Sequence, residues 1–584
     1  MRGKGRRVDA GVATIEPAGI DLRLPDHDGH VLGSILTARH GVAEAAIDEV
    51  VAQQEATGQP LGRLLVERGL IDAATLAGAL AEQFGLDVVD LGTVNPSSEA
   101  LAVLDAGTAH RLSALPLTLE GNELTLAVSD PTAPGLKAAG PVLGRFEIRF
   151  MLASEPDLRH AINLAYPALA TVSHQVEQFE ATRPISLTAE PAALQLNENA
   201  PVVQVVNAIV TQALRDRASD VHIEPQADRL RVRFRVDGAM REALTLPATM
   251  SAALVSRLKI MADMNIVEQR RPQDGQFALD VDGRELDVRV ATAATIWGEK
   301  AVLRLLDRSR SFLGLAELGM PKHIYSLYSR VARSPFGMVI CSGPTGSGKT
   351  TTLYATLNEV ARADVNVTTI EDPVEYVFPN ISQIQINEQA GLTFATGLRS
   401  ILRQDPDIIL VGEMRDGETA RIAVQAALTG HLVLSSLHAI DSAAALSRLA
   451  DMGVEPFLVA SSVVAVVAQR LVRRICRSCQ APYTPTPQEM TIYQAAGGPK
   501  KDRFFQGAGC TFCSGTGYRD RIGVYEVLLV TDEVRAMVVD GATPQQIRQK
   551  AHGEGLRTLQ EEAVALVAAD VTTISEITRS IYVI

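Results

Sequence analysis

The chain is poor in aromatic residues, in positive charge and in long apolar runs. Aromatic side chains make up 4% of its 584 residues, and 55 Lys and Arg stand against 68 Asp and Glu, for a net charge of −13. Proteins that bind nucleic acid usually carry a basic surface, often with interleaved aromatic side chains, so we expect no nucleic-acid partner. The apolar run 457–468 is too short to span a bilayer, and no apolar segment follows the basic start MRGKGRR. We therefore expect a soluble cytoplasmic chain that reaches a membrane only through partners.

Cysteine is also scarce, but its spacing is informative. Four of the five cysteines form two CxxC pairs, Cys476 with Cys479 and Cys510 with Cys513. In a cytosolic protein such pairs indicate a metal before disulfides. One tetrahedral Zn²⁺ could close the long loop between the pairs, and four thiolates would leave no open position, which is typical of structural zinc. The alternative is a set of unconnected buried cysteines, as we expect for Cys341.

Length and pattern predict several domains and an α/β fold class. In the C-terminal part, strand and helix patterns alternate, which predicts a mostly parallel sheet. The segments, in order, are a poorly ordered leader (1–29), an N-terminal module (30–165), a linker (166–198), a compact α+β domain (199–307) and a C-terminal domain (308–584) with the zinc element at about 476–513.

The N-terminal module opens with an internal repeat. One copy, LGSILTARHGVAEAAIDEVVAQQ, begins at Leu32, and a second, LGRLLVERGLIDAATLAGALAEQ, begins 29 residues later at Leu61. A fixed period of this length predicts a repeated helical unit. The alternative is a plain pair of helical hairpins in which Gly41 and Gly69, one position out of phase, only end helices.

The stretch GPTGSGKT, at 343–350, matches the phosphate-binding P-loop and stands between an apolar strand pattern and a helix pattern. Its glycines allow successive backbone N–H groups to point inward, and the helix that follows presents its positive end to phosphates. Lys349 can reach the β- and γ-phosphates of ATP, and the Thr350 hydroxyl can hold Mg²⁺. The predicted nucleotide-binding residues are Gly343, Pro344, Thr345, Gly346, Ser347, Gly348, Lys349, Thr350 and Thr351.

Carboxylates follow two further apolar strand patterns. The strand VTTI ends at Glu371, and the strand IILV ends at Gly412-Glu413, with Gly412 where a Walker B strand usually has Asp. Ligands bind at the carboxyl ends of parallel strands, so we expect these acids near the nucleotide. Glu413 is the candidate that activates the attacking water. The alternative is that such acids only cap the next helix.

Histidines and arginines complete the predicted site. His431 and His438 flank another apolar strand and are candidate sensors of the γ-phosphate. Arg399 and Arg403 lie four residues apart, which would place them on one helix face. Arginines from a neighbouring domain or subunit, here Arg289 and Arg304, can stabilise transition-state charge, by about 10³ to 10⁵ in rate. The alternative for the arginines is surface salt bridges. The predicted catalytic residues are Glu413, Glu371, Lys349, Arg289, Arg304, Arg399, Arg403 and His438.

In these residues the chain resembles the secretion-ATPase family, which comprises the type II secretion ATPases (GspE/PulE) and the type IV pilus assembly ATPases (PilB, MshE). The resemblance runs from Leu32 onward. Besides the P-loop and the cysteine pairs, its motifs are ASDVHIEP (218–225), RVRFRVDG (231–238), RRPQDGQ (270–276), TTIEDPVEY (368–376), LVGEMRD (410–416), TGHLVLSSLH (429–438) and AQRLVRRIC (468–476).

This resemblance implies a fold and a function. The fold is a RecA-like P-loop ATPase domain with an inserted zinc element, preceded by a PAS-like α+β domain and a helical/α+β N-terminal module in which a small α/β unit follows the tandem repeat. The function is that of a hexameric cytoplasmic ATPase that powers pseudopilus or pilus assembly and protein secretion, with ATP, Mg²⁺ and Zn²⁺ as cofactors. The implied partners are an inner-membrane platform protein and a membrane-anchored recruiting subunit, which would attach the motor peripherally to the inner membrane. The arginine pairs would face the nucleotide.

Three alternatives stay open. The tandem repeat resembles a module that binds cyclic di-GMP in some family members, although Val31 and Pro60 stand where that module often has a basic residue; this would make the chain a regulated pilus assembly motor. A DNA-translocating P-loop motor is disfavoured by the acidic charge. A signalling module with a degenerate ATPase is disfavoured because the expected site residues are intact: Lys349, Thr350, Glu371 and Glu413. The sequence does not separate the secretion branch from the pilus branch.

Overall fold

The computed structural model describes residues 15–16, 19–20, 30–181, 200–282, 284–307 and 314–582. They fall into two compact units, one within 1–309 and including 510–515, the other within 310–509 and 516–584. Most of the predicted leader, 1–29, lies outside the described residues. Within it, Ile15–Glu16 (β1) and Gly19–Ile20 (β2) pair as a short antiparallel ladder.

The tandem repeat forms two helical hairpins. Its helices are α1 (His30–His40), α2 (Glu44–Thr57), α3 (Leu61–Glu67) and α4 (Ala73–Phe84). A Cβ added to Gly33 would lie 3.1 Å from Ile47, and one added to Gly62 would lie 2.6 Å from Leu76. The repeated Leu-Gly therefore marks the point where each hairpin's helices approach closely.

A small α/β domain follows the hairpins. Its four-stranded sheet has the order β3–β6–β5–β4, and only the β4–β5 pair is antiparallel. The elements are β3 (Asp87–Val88), α5 (Ser98–Leu101), α6 (Ala106–Leu112), β4 (Ala114–Glu120), β5 (Glu123–Val128), α7 (Pro134–Ala138), α8 (Gly140–Leu143), β6 (Glu147–Leu152) and α9 (Glu155–Ala165).

Part of the predicted linker is helical instead. Residues 168–171 form a 3₁₀ turn, and α10 spans Val172–Ala181. Val172 is buried in the core of the next domain, and Val176 and Phe179 pack against the same core. These three side chains lie at helical spacing, a signal that the assignment of 166–198 to a linker overlooked. Residues 182–198 lie outside the described residues.

The next domain packs two helices on an antiparallel sheet of six strands. The strand order is β10–β11–β12–β7–β8–β9. Along β8 the apolar Leu230, Val232 and Phe234 are fully buried, while the intervening arginines face the other side, as the two-residue period of a strand requires. The elements are α11 (Pro201–Arg215), β7 (Asp220–Pro225), β8 (Arg229–Val236), β9 (Ala239–Pro247), α12 (Ser251–Met261), β10 (Gln273–Val281), β11 (Arg284–Thr295) and β12 (Gly298–Asp307).

The second unit is built on a parallel-rich sheet of seven strands, which confirms the predicted fold class. The order is β15–β14–β16–β17–β13–β18–β21, and only β21 runs antiparallel to its neighbour. The strands of the middle are apolar runs buried along their whole length, as expected where helices cover both faces. The elements up to β18 are α13 (Lys322–Ala332), β13 (Gly337–Ser342), α14 (Lys349–Val360), β14 (Val367–Glu371), β15 (Ser382–Gln385), α15 (Phe394–Ile401), β16 (Ile408–Val411), α16 (Gly417–Leu428), β17 (Leu432–Leu437), α17 (Ser442–Asp451), α18 (Pro456–Ser462) and β18 (Val463–Ile475).

An insertion and a helical end complete this unit. The insertion carries a two-stranded ladder of β19 and β20, and the four last helices each begin after a threonine whose hydroxyl accepts a backbone N–H. The elements are β19 (Gln480–Tyr483), α19 (Pro487–Ala495), β20 (Phe504–Gly507), β21 (Tyr518–Leu529), α20 (Asp532–Val539), α21 (Pro544–Gly553), α22 (Leu559–Ala568) and α23 (Ile574–Ser580). Among the described residues, no helix combines the length and apolar character needed to cross a membrane.

Candidate nucleotide site

The glycine-rich loop joins the end of β13 to the start of α14. Gly346 and Gly348 have φ angles of 77° and 89°, which glycine adopts readily. A Cβ at Gly343 would lie 2.5 Å from the Ser347 hydroxyl oxygen. The sequence therefore folds here into a tight turn whose backbone ends at the amino terminus of a 12-residue helix, the arrangement that binds phosphate groups.

The remaining loop residues differ in exposure. Ser347 is buried, Lys349 is half-buried, and the others are exposed at the mouth of the loop or in the first turn of α14: Pro344, Thr345, Thr350 and Thr351. The Lys349 Nζ donates to the carbonyl oxygens of Gly343 at 2.8 Å and Pro344 at 3.1 Å. Burial lowers the pKa of Lys349, and the negative charge of Glu413 opposes that shift. The Lys349 side chain is thus held at the loop, where it interacts electrostatically with Glu413, the predicted catalytic acid.

Glu413 lies just beyond the end of β16 within a small group of charged side chains. Its carboxylate pairs with Arg415, and its Oε2 lies 3.7 Å from the His438 Nε2. Arg415 also lies 3.7 Å from Asp372, and its hydrogen bond to Glu413 raises the Arg415 pKa. The carboxyl ends of β14, β16 and β17 therefore bring together acids, a histidine and an arginine beside the strand that carries the phosphate loop.

Gly412 explains the departure from the usual Walker B ending. A Cβ there would lie 3.3 Å from the Ile370 carbonyl oxygen and 3.4 Å from the Glu371 Cα. The Gly412 N–H donates to that same Ile370 oxygen at 2.9 Å. A larger residue would crowd β14, so the carboxylate moves one position on, to Glu413.

Glu371 is deeply buried, unlike Glu413. It is 4% exposed, and its Oε1 accepts from Thr369 at 2.6 Å and from Gln383 at 3.2 Å, while Oε2 accepts from the Tyr354 hydroxyl. Burial and the neighbouring Glu371 raise the pKa of Tyr354. Both oxygens of Glu371 are therefore engaged within the protein, which fixes the end of β14 to α14.

His431 does not join the predicted site. It precedes β17, whereas His438 follows it, so the two histidines stand at opposite ends of the strand. The His431 Nδ1 lies 2.9 Å from the Ala426 carbonyl oxygen near the end of α16. The phosphate loop follows the carboxyl end of β13, which runs parallel to β17, and His431 lies at the opposite end of β17. The prediction that His431 contacts phosphate is therefore wrong.

Of the predicted arginine pair, Arg399 lies in a helix and Arg403 lies just beyond its end. Helix α15 ends at Ile401, so Arg403 lies in the turn that follows, and it is exposed. Arg399 donates to Glu418 at 2.5 Å, and half of its side chain is exposed. The turn at 402–403 ends the regular helix, and Asp405, with a positive φ of 50°, leads the chain toward β16.

Arg289 and Arg304 lie opposite each other on β11 and β12. They line an open groove of about 500 Å³ on the sheet of the first unit, together with Asp220, Asp274 and Gln276. The Arg304 Nε lies 3.3 Å from Asp220, and 59% of the Arg304 side chain is exposed. The two arginines are thus presented on a solvent-facing surface, as a group that binds an anion must be.

The four paired cysteines converge. Their sulfur atoms all lie within 4.8 Å of one another. The Cys510 and Cys513 sulfurs are 3.7 Å apart, close to the roughly 3.8 Å that tetrahedral geometry with Zn–S bonds of about 2.3 Å requires. The flanking backbone joins the two pairs, since Ala508 N donates to Cys479 O at 2.8 Å and Cys476 N to Gly517 O at 2.9 Å. This donor set fits a tetrahedral thiolate-bound metal.

Sequence reasoning overlooked Arg415, Tyr354 and Gln469. Arg415 stands two residues after Glu413, and its spacing in GEMRD was a visible signal. Tyr354 and Gln469 reach the site only through the folded sheet, because their partners lie 17 and 122 residues away. No local pattern marks such contacts.

Sequence comparisons relate this chain to known protein families. A family model described as type II/IV secretion system protein matches residues 195–579, and an MshEN domain model matches 84–171, beyond the helical repeat. The chain is 37% identical, over 94% of its length and 98% of the relative's, to the type IV pilus assembly ATPase PilB of Myxococcus xanthus. It is 48% identical, over 66% of its length and 78% of the relative's, to the type II secretion system protein HxcR of Pseudomonas aeruginosa. The solved Legionella pneumophila ATPase DotB is 21% identical, covers 64% of this chain and 94% of its own, and has a TM-score of 0.48.

Proposed function

This chain belongs to the type II/IV secretion system protein family, and we propose that it is the ATP-driven motor that powers pseudopilus or pilus assembly and protein secretion across a bacterial envelope. It is a P-loop ATPase. The observation that supports the proposal is the placement of the phosphate loop beside the group formed by Glu413, Arg415 and His438 at the carboxyl edge of one sheet. Phosphoryl transfer needs such positioned charge more than it needs covalent chemistry.

We assign the proton-handling role to Glu413. It is 20% exposed and so is open to an attacking water, whereas both oxygens of Glu371 are taken by protein donors. Arg415 and His438 lie against the Glu413 carboxylate and hold it in place. Glu371 instead anchors the end of β14. The side chain that meets the β- and γ-phosphates is Lys349, and the hydroxyl that would hold Mg²⁺ is that of Thr350; the ion neutralises phosphate charge when bound.

The arginines stay proposed contributors to catalysis. Arg289 and Arg304, in the groove on the first unit, have the exposure needed to approach the γ-phosphate. Arg399 and Arg403 are exposed on the second unit and suit a contact supplied by a neighbouring subunit. These roles presuppose a homo-hexamer, which we also propose.

We propose that Zn²⁺ is held by Cys476, Cys479, Cys510 and Cys513 and is structural. The thiolate sulfurs are close enough to share one ion, and the backbone N–H of Cys510 donates to the Cys513 sulfur at 3.2 Å, which favours the thiolate. The ion would tie together the two ends of the insertion that carries β19, α19 and β20.

The proposed partners follow from the same function. The motor acts in the cytoplasm on an inner-membrane platform protein and is attached peripherally to that membrane through a recruiting subunit. ATP binding and hydrolysis would switch the motor between states that differ in the relative arrangement of its domains. That change would move the platform protein.

One experiment tests the motor. The purified chain is compared with Glu413→Gln in ATP turnover and, by light scattering with and without ATP, in size. The matched control is Glu359→Gln: Glu359 is 18% exposed and pairs with Arg333, much as Glu413 pairs with Arg415, but it lies at the far end of α14. We expect a hexamer in nucleotide and a loss of turnover in Glu413→Gln of about 10²-fold or more, with the control unchanged. Normal turnover in Glu413→Gln would contradict the assignment, and a monomeric parent without turnover would contradict the motor.

A second candidate is a type IV pilus assembly motor regulated by cyclic di-GMP. It is favoured by the MshEN match and by the two hairpins that pack alike around Gly33 and Gly62. The test is calorimetric titration of the full chain with cyclic di-GMP after saturation with ADP, which fills the ATP site first. Absence of heat would remove this candidate without touching the motor.

A further inference from the structure

Gln469 lies beside the phosphate loop on a neighbouring strand. Strand β18 runs parallel to β13, and Ser342, the last residue of β13, pairs with Ala468. Gln469 is therefore the next residue along, level with Gly343, and it is 1% exposed. Burying an amide without hydrogen bonds costs free energy of folding. The hydrogen bonds of the Gln469 side chain therefore indicate what this residue does.

The side chain of Gln469 contacts the backbone of the loop. Its Nε2 donates to the Ser347 carbonyl oxygen at 2.8 Å, and its Oε1 has no hydrogen-bond partner among the described residues. The opposite orientation of the amide would place two acceptor oxygens against each other, so the donor contact is the favoured one. Ser347 lies between Gly346 and Gly348, where the backbone has the greatest freedom.

This contact sets the direction of a phosphate-binding group. In a planar trans peptide the C=O and the following N–H point in opposite directions. Because the Ser347 carbonyl faces Gln469, the N–H of Gly348 points away from that side chain. The glutamine thus fixes the orientation of an amide that sits at the start of α14.

The backbone of Gln469 is also fixed. Its carbonyl oxygen would lie 2.7 Å from a Cβ at Gly343, and it accepts from Arg470 Nη1 at 3.0 Å. Arg470 Nη2 donates to the Ile440 carbonyl at 2.7 Å, two residues beyond His438. The middle of β18 is therefore held on one side by the loop and on the other by the segment that follows β17.

We propose that Gln469 is a positioning residue for the nucleotide, which keeps the Gly348 N–H turned toward the phosphates by holding the Ser347 carbonyl. The inference rests on ATP binding at this loop, as in the proposed function. Because the Gly348 N–H contacts phosphate in both the ground state and the transition state, its loss should weaken binding more than turnover.

The test compares Gln469→Met and Gln469→Glu with the parent. Methionine keeps the length and removes the donor, and we expect the Kd for a fluorescent ADP analogue and the KM for ATP to rise about tenfold, as for one lost hydrogen bond, with kcat within about twofold. Glutamate places a negative charge against the carbonyl and near the phosphates, and we expect a larger rise. If Gln469→Met does not fold, the glutamate variant still gives the reading.

The matched control is Gln212→Met. Gln212 is also a buried amide, 7% exposed, with hydrogen bonds to Ala168 and Asp216, but it lies in the first unit. It should lower the unfolding midpoint and leave the Kd for ADP unchanged. An unchanged Kd in both Gln469 variants would overturn the inference even if their stability fell. The Kd for ADP tests the positioning role of Gln469 directly. Failure of the parent to hydrolyse ATP would count against the proposed function instead.

Discussion

The hydroxyl of Tyr354 donates a hydrogen bond to the carboxylate of Glu371, and both side chains are buried. Tyr354 belongs to α14, the helix that begins at Lys349, and Glu371 ends β14. The same hydroxyl accepts from the Glu375 N–H at 3.2 Å. The contact therefore couples the helix of the phosphate loop to the acidic segment that follows β14.

Replacing Tyr354 by Phe should destabilise the second unit. The change leaves a buried carboxylate oxygen without its donor, and such a loss costs about 1–3 kcal/mol of unfolding free energy, with charged acceptors at the upper end. Urea unfolding measures it as a lower midpoint with an unchanged slope.

Tyr328→Phe is the control for that measurement. Tyr328 is also fully buried, but its hydroxyl lies 2.7 Å from the Thr356 hydroxyl, a neutral partner. It should cost about 1 kcal/mol or less. Equal losses in the two variants would contradict the importance of the charged acceptor.

Glu224 should make the first unit sensitive to acid. Burial opposes ionisation of this carboxyl, but hydrogen bonds from Arg233 and Lys300 prevail and lower the Glu224 pKa from 4.5 to about 2. Because the folded-state pKa lies below the unfolded one, the stabilisation is present above pH 4.5 and is lost as the pH falls toward 2. Glu224→Gln should therefore flatten the stability profile across that window.

Urea unfolding followed by circular dichroism, repeated at pH values across that window, measures this profile. Glu242→Gln is the control. Glu242 is exposed on the neighbouring strand β9, and its side chain accepts a hydrogen bond from the Thr245 hydroxyl. If the unfolding free energy of Glu224→Gln falls with acid as steeply as that of the parent, the role assigned to Glu224 is refuted.

Zinc removal should loosen the insertion. Because a metal site forms only in the folded chain, its binding energy contributes to folding. Cys476→Ser should release about one zinc per chain, measured by a chromogenic chelator, and lower the unfolding midpoint. Cys341→Ala removes a thiol that lies in β13 instead, and it should keep the zinc. A parent whose stability survives complete metal stripping would contradict this account.

The parts of the site that could be predicted are those written locally in the chain. The glycine spacing of the phosphate loop, the CxxC pairs and the acids after apolar strands depend on neighbouring residues, so their positions followed from the sequence. Gln469 reaches Ser347 only because β18 pairs with β13, and the strand order of a sheet is not written in any one segment.

The errors also have physical causes. His431 and His438 are close in sequence, but a six-residue strand separates them, and its carboxyl end is the one level with the phosphate loop. Arg403 lies in the turn that follows α15, so the regular helical period that would join it to Arg399 ends before it. The predicted linker is polar in composition, but Val172, Val176 and Phe179 are spaced as on one face of a helix. This spacing, and not the overall composition, determines that the three side chains pack into the core of the next domain.

Gly343 should be the least replaceable glycine of the loop. A Cβ there would meet the Ser347 hydroxyl at 2.5 Å and the Gln469 carbonyl at 2.7 Å, and the second neighbour is backbone held by Arg470 and cannot move aside. Gly343→Ala should therefore push the loop out of register and raise the Kd for ADP by about 10²-fold, since several phosphate-binding N–H groups are displaced together. Gly391→Ala is the control: Gly391 has a φ of 74° but nothing within 4 Å of its Cβ position, so it should lower stability by about 1–2 kcal/mol and leave nucleotide affinity alone. Similar ADP affinities for the parent and Gly343→Ala would mean that β18 yields to the loop, and the positioning assigned to Gln469 would fall with that result.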